Sequence, residues 1–322
     1  MLVAQSETLW AHVEAFRAPG AAGEPLRRGR DRVVLGSEQE PDLPSTYIDY
    51  DTLPREHHLS MSQTVLRVSV RVTDLLHDDV MDGDATRRHR PTAWSVFGVS
   101  AAILAGDALL TLAFDVLATS GHPAALDGMV MLSAAVQNLN DGQSVDIAFE
   151  ERADVDLPEV LHMSEAKTGA LLGCACALGA SFGGGSPEQV EGLRHFGERL
   201  GLAFQHVDDL LGIWGDPSVT GKLVYSDLVN RKKSLPVVAA LTSGTRAGRE
   251  LAALYHRDRP LSGAELVHAA ELIDVAGGRA WSRSQADGLL AEALRHLRLC
   301  GPTARAAAEL SALARLATRR DH

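Results

Sequence analysis

The chain has 322 residues, 45% hydrophobic but only 5% aromatic, with a formal net charge of -11. That balance excludes a general nucleic-acid surface, yet it allows an anionic substrate held through metal ions. The three cysteines, Cys174, Cys176 and Cys300, make no disulfide framework, and an interior of Ala, Leu and Val favours helices.

In chain order, residues 7–17 read as a short amphipathic helix, and Glu7 and Glu14 in that region argue against a signal peptide. Residues 18–58 are crowded with Gly, Pro and charge and read as loop. Ser60 to Met81 is unbroken by Gly or Pro, and Pro91-Thr92 opens another helix with Pro in its first turn. Later breaks fall near Gly121–Pro123, Pro158, Gly183–Pro187, Gly215–Pro217, Pro236, Pro260–Gly263, Gly277-Gly278 and Gly301-Pro302, and the intervals are of helix length. No alternating strand pattern stands out. The uncharged stretch Thr168 to Gly185 is rich in Gly, Ala and Ser and reads as a buried central helix, not a membrane span. Cys174 and Cys176 are read as small packing residues. The expectation is a soluble cytoplasmic all-α protein, with a divergent region 1–58 and a helical core 59–322.

Two acidic clusters carry the chemistry. Leu75-Leu76-His77-Asp78-Asp79-Val80-Met81-Asp82 ends an apolar stretch and is followed by Arg87, Arg88, His89 and Arg90. At about 100° per residue, Asp82 sits roughly 40° round the helix from Asp78. Like charges so placed repel, so the pattern costs helix stability unless cations bind it. Phe204-Gln205-His206-Val207-Asp208-Asp209 repeats the arrangement and precedes Lys222, Arg231, Lys232 and Lys233. A solvated acidic face explains one such cluster. Two on separate helices, each followed by bases, suit a metal-bound polyanion, since Mg²⁺ favours carboxylate, water and phosphate oxygens.

LLHDDVMDGDATRRHRPT and FQHVDDLLGIWGDPSVTGK resemble the two aspartate-rich motifs of the trans-prenyl (polyprenyl) diphosphate synthases. GQSVDIAFE at 142–150 and SEAKTGALLG at 164–173 are similar to two further blocks of that family, and the likeness extends over roughly 75–320. The resemblance implies an isoprenoid-synthase helical bundle around a deep central cavity, usually a homodimer. It also implies three Mg²⁺ ions: Asp78 and Asp82 hold metal with Asp79 in support, and Asp208 takes the third ion beside Asp209. Arg87, Lys167, Thr168, Gln205, Lys222 and Lys232 would hold an allylic prenyl diphosphate, and Arg88 the diphosphate of isopentenyl diphosphate. Gln143 and Asp146 would be supporting residues.

The chain departs from this family ahead of the first motif. A Gly-Lys-x-x-Arg-Pro segment that would anchor isopentenyl diphosphate is missing, Arg71 stands where the family has His, and Asp74 replaces a small residue. Three accounts stay open: a salt-bridged stripe of Arg67, Arg71, Asp74 and Asp78; a changed acceptor; and a damaged segment. Gly212 replaces a third acidic residue of the second motif, and Thr73 would not block a growing chain. The leading expectation is coupling of the allylic diphosphate to isopentenyl diphosphate, which would bind poorly compared with the allylic partner. The alternatives are a terpene cyclase, prenyl transfer to another acceptor, or a non-catalytic partner subunit.

Overall fold

A computed structural model describes residues 32–35, 46–49, 73, 75–87, 90–152, 154–217, 224–257 and 259–319. The expected helix at 7–17 and most of the expected helix from Ser60 lie outside these residues. The described part is helical almost throughout. Two small antiparallel pairs are the exceptions: β1 (Arg32–Leu35) with β2 (Thr46–Asp49), and β3 (Thr86–Arg87) with β4 (Arg90–Pro91). The sequence reading missed both. A two-residue ladder has no room for alternation, and the first pair lies among turn formers.

Helix α1 covers residues 75–81. After the β3–β4 hairpin, Pro91 ends β4 and Thr92 becomes the N-cap of α2 (Ala93–Phe97), so Pro91 precedes the helix instead of occupying its first turn. Then come α3 (Val99–Thr119), α4 (Ala125–Glu151) and α5 (Leu157–Ser164). A π turn, Glu165–Gly169, leads without a break into α6 (Ala170–Phe182). The remaining helices are α7 (Pro187–Trp214), α8 (Ser226–Val229), α9 (Leu235–Leu241), α10 (Arg246–Tyr255), α11 (Gly263–Val275), α12 (Gly278–Leu299) and α13 (Ala304–Thr318).

These boundaries follow the expected Gly and Pro breaks because local chemistry sets them. Asp156–Glu159, Ser186–Gln189 and Ser262–Glu265 form reciprocal capping boxes at the starts of α5, α7 and α11, each satisfying backbone N–H groups that a helix leaves open. Pro158, Pro187 and Pro236 stand in first turns, where the missing N–H costs nothing. Helix α7 runs through the middle, packed on α6 and α12. Phe196 and Leu200 on α7 meet Leu290, Ala293, Leu294 and Leu297 of α12. The expected buried helix is α6, with Cys174, Ala177 and Leu178 inside, and burial pushes the Cys174 thiol up to about 12, as for a packing residue.

One described helix, α3, is long and apolar enough to cross a membrane, and only 22% of its most apolar window is buried within the chain. Val99, Ile103, Leu104 and Leu112 of α3 and Leu126 and Val130 of α4 are exposed.

Candidate active site

Helix α1 and hairpin β3–β4 form the first wall. Arg87 folds back on α1, donating from Nε to Asp79 Oδ1 at 2.5 Å and from Nη2 to Asp78 Oδ2 at 3.2 Å. Asp79 is buried, whereas Asp82, in the turn after α1, has an exposed edge. Its amide donates to the Asp78 carbonyl at 2.8 Å, keeping the two aspartates one turn apart.

Helix α4 and the π turn form the second wall. A Cβ on Gly142 would lie 2.6 Å from the backbone N of Lys167, so this position admits only glycine. The close approach brings Asp146, one turn further along α4, onto Lys167, whose Nζ donates to Asp146 Oδ2 at 2.8 Å and lies 3.3 Å from Asp78 Oδ1. The same device acts between the π turn and α7. A Cβ on Gly201 would lie 2.8 Å from the Cα of Gly169, and one turn on, Gln205 accepts from Thr168 Oγ1 at 2.7 Å. Lys167 and Thr168 both sit in the π turn, a helix irregularity that recurs at functional sites because it re-aims side chains.

The second acidic pair divides its labour. Asp209 is buried and accepts from Gln205 Nε2 at 2.7 Å and from the backbone N of Leu235 at 2.8 Å, tying α7 to the start of α9. Asp208 is exposed. A pocket lies between these walls, lined by Asp146, Lys167, Gln205, Asp209, Lys232 and Ser234, with Met163 and Ser164 beside them.

The carboxylates here outnumber the described cations, which shapes their protonation. Burial alone would raise Asp78, but the charges of Lys167, Arg87 and Lys232 carry it below the usual carboxylate range. Burial lifts Asp209 to about 7 despite the pull of Lys232. Lys232 itself is held protonated: burial opposes its charge, and Asp227, Asp146, Asp209 and Asp82 more than offset this.

Two residues were not found by sequence reasoning. Ser234, the N-cap of α9, presents a buried hydroxyl with no hydrogen-bond partner among the described residues. Asp227 on α8 fills the space beside Gly212, where a Cβ would lie 2.5 Å from the carboxylate carbon. Gly212 is thus not simply a lost acid, since a neighbouring helix supplies a carboxylate in its place. No local pattern signals this, because the two residues are joined only by the fold. Of the expected residues, Asp78, Asp79, Arg87, Asp146, Lys167, Thr168, Gln205 and Asp209 are brought together, and Lys232 joins them. Gln143 Nε2 is buried nearby with no hydrogen-bond partner among the described residues. Arg88 and Lys222 lie outside the described residues. Thr73 is buried and donates to the Gly106 carbonyl at 3.0 Å.

The donor set fits Mg²⁺. The ligand atoms available are carboxylate oxygens, and Asp78 Oδ1 is buried without a hydrogen bond from the described residues. No group of three or more His, Cys, Asp or Glu among the described residues is placed to hold a metal ion alone.

The fold is an α-helical bundle that presents two aspartate pairs to buried lysines. A family model described as polyprenyl synthetase matches residues 59–273, and one described as type 2A encapsulin shell protein SrpI-like matches residues 27–88. A (2E,6E)-farnesyl diphosphate synthase of Mycobacterium tuberculosis is 45% identical over 243 residues, 74% of this chain and 68% of that protein. A geranylgeranyl diphosphate synthase of the same organism is 46% identical over 248 residues, 77% and 70% of the two chains. The crystal structure of a polyprenyl synthetase from Streptomyces coelicolor A3(2) superposes with TM-score 0.73 at 40% identity, covering 84% of this chain and 88% of that one. A geranylgeranyl pyrophosphate synthase from Corynebacterium glutamicum, complexed with isoprenyl diphosphate and magnesium, gives TM-score 0.71 at 29% identity over 84% and 80%. The chain belongs to the polyprenyl synthetase family and has its all-α isoprenoid-synthase fold. It is a Mg²⁺-dependent trans-prenyltransferase.

Proposed function

We propose that the chain ionises an allylic prenyl diphosphate and couples it to isopentenyl diphosphate, giving a longer trans-prenyl diphosphate. The observation that carries this is Lys167, held between Asp78 of the first motif and Asp146, in a chain so similar to prenyl diphosphate synthases. Asp78, Asp82 and Asp208 hold Mg²⁺, three ions in all, with Asp79 and Asp209 in support. Bound Mg²⁺ neutralises charge developing on the leaving diphosphate. Arg87, Lys167, Thr168, Gln205, Lys222 and Lys232 bind that diphosphate, and Gln143 and Asp146 support them. Arg87 and Lys167 exchange carboxylate partners for phosphate oxygens when it arrives, so their charge is already in place for the transition state. Arg88 binds isopentenyl diphosphate.

Product analysis tests this reading. With both diphosphates and Mg²⁺ the expected product is a longer linear diphosphate, and EDTA abolishes it. The missing Gly-Lys-x-x-Arg-Pro anchors raise the Michaelis constant for isopentenyl diphosphate above that for the allylic partner. A cyclic or hydrolysed product from the allylic diphosphate, with no elongation, would overturn the proposal. The relatives' activities favour elongation over cyclisation, another acceptor, or a non-catalytic subunit.

The exposed apolar face of α3 and α4 supports a homodimer. Asp107, midway along α3, is 62% exposed and lies 3.7 Å from His77, and a charge at mid-helix opposes a lipid setting. We place the dimer in the cytoplasm. The polyprenyl synthetase match starts at residue 59, which supports the boundary between 1–58 and the core 59–322, and the shell-like match at 27–88 runs across it. They also favour a second reading, that the shell-like stretch associates the enzyme with a protein shell. Size exclusion with light scattering tests both readings. The chain alone is expected at twice its monomer mass, and co-expressed with a type 2A encapsulin shell protein it is expected in the shell peak. A monomer would overturn the first reading, and absence from that peak the second.

A further inference from the structure

Lys232 reaches the acidic pocket from a sharp chain reversal between α8 and α9. Two backbone bonds shape it: the Arg231 amide donates to the Leu228 carbonyl at 3.2 Å, and the Lys232 amide to the Asp227 carbonyl at 2.8 Å. At its corner Arg231 has φ of 49°, the left-handed region that favours glycine and, among other residues, asparagine. Asn230 stands next to it with φ of -85°, so the residue better suited to that conformation does not occupy it. Something other than local preference holds Arg231 there.

The side chain of Arg231 supplies the reason. Its guanidinium lies on the carbonyl of Tyr255, the last residue of α10, where helix carbonyls lack intrahelical donors, and on two carbonyls of the loop that follows. Nη1 donates to the Tyr255 carbonyl at 3.3 Å and to that of Arg257, and Nη2 donates to the carbonyl of Arg259. The next residues point elsewhere. Lys233 lies over the Tyr255 ring at 5.8 Å, and Leu235 gives its amide to Asp209. The stretch is therefore pinned at both ends, by Arg231 to α10 and by Leu235 to the second acidic motif, with Lys232 between the two pins.

We propose that Arg231 is a positioning residue: its fork on the carbonyls of Tyr255 and of the loop after α10 holds the left-handed corner that aims Lys232 at the diphosphate pocket. This rests on the role given to Lys232 above. A lysine in its place keeps the charge but cannot span separate carbonyls with a rigid fork.

The experiment is a double-mutant cycle in the full-length chain, read as kcat and as the Michaelis constant for the allylic diphosphate. Lys232→Met, Arg231→Ala, Arg231→Lys and the Arg231→Ala/Lys232→Met pair are compared, with thermal unfolding as the control for folding. Arg231→Ala and Arg231→Lys are each expected to lower kcat about tenfold or more, with a smaller change in the Michaelis constant. In the Lys232→Met background, Arg231→Ala is expected to add less than about twofold, because its effect passes through Lys232. Arg231→Lys/Lys232→Met is made as well, and it carries the cycle if Arg231→Ala does not fold. Full activity in Arg231→Lys, or losses that multiply in the pair, would overturn the inference. Full activity in Lys232→Met would instead overturn the role of Lys232.

Discussion

Asp78→Asn is expected to lower kcat by about 10²–10³-fold with the fold intact, a loss of the size seen when one group that stabilises transition-state charge is removed. The substitution keeps the shape and removes one negative charge. Asp78 is the point where both walls meet: Arg87 lies 3.2 Å from one oxygen and Lys167 3.3 Å from the other. Loss of the charge withdraws a Mg²⁺ ligand and a counter-ion from two cations together. The half-saturating Mg²⁺ concentration should rise as well, whereas the unfolding midpoint should move little, since no apolar packing is lost. Steady-state rates across a Mg²⁺ titration, with circular dichroism on the same samples, check it. Near-normal rates at saturating Mg²⁺ would remove Asp78 from the metal site. Asp208→Asn should behave in the same way. That carboxylate is exposed where Asp209 is buried, so the roles of the adjacent pair separate: Asp209→Asn should cost stability first, by disturbing the bond to the Leu235 amide.

Lys167→Met is the second large effect. Methionine fills much of the volume but leaves Asp78 and Asp146 without the ammonium between them. A diphosphate held by one cation fewer loses a charge-assisted hydrogen bond, worth about 1.5–3 kcal/mol. This corresponds to roughly 10–150-fold at 1.4 kcal/mol per tenfold. Leaving-group charge grows toward the transition state, so the loss should fall on kcat more than on the Michaelis constant for the allylic diphosphate. A raised Michaelis constant at unchanged kcat would mean that Lys167 binds ground state and transition state alike. Lys167→Arg restores the charge but not the placing of a compact ammonium between Asp78 and Asp146, and it should recover little.

Much of this protein is written locally. Helix boundaries follow from Pro, Gly and capping residues within one turn of each end, as Ser186-Pro187 and Ser262-Gly263 illustrate. The aspartate motifs are read from spacing, because a helix places residues three and four apart on one face. Their assignment to a family needs only the order of the motifs. The absent Gly-Lys-x-x-Arg-Pro segment is also a fact of the sequence. A shell-protein model matches residues 27–88, overlapping the start of the prenyl synthase match at residue 59, which the motifs downstream do not foretell.

Tertiary structure decided the rest. Lys167 and Asp146 lie 21 residues apart and meet because Gly142 lets two backbones touch. Gly201 brings Gln205 to Thr168 by the same means. Asp227 comes from a different helix to lie against Gly212, and Arg231 sits in its left-handed corner with its guanidinium on carbonyls of Tyr255 and the loop after α10. The β3–β4 hairpin that returns Arg87 to Asp79 is too short to show in any pattern. The physical reason is common to all of these. Helix periodicity and capping act over about four residues, so the sequence displays them directly. The meeting of charges across helices depends on which backbones approach closely, and that is settled only when the whole core packs.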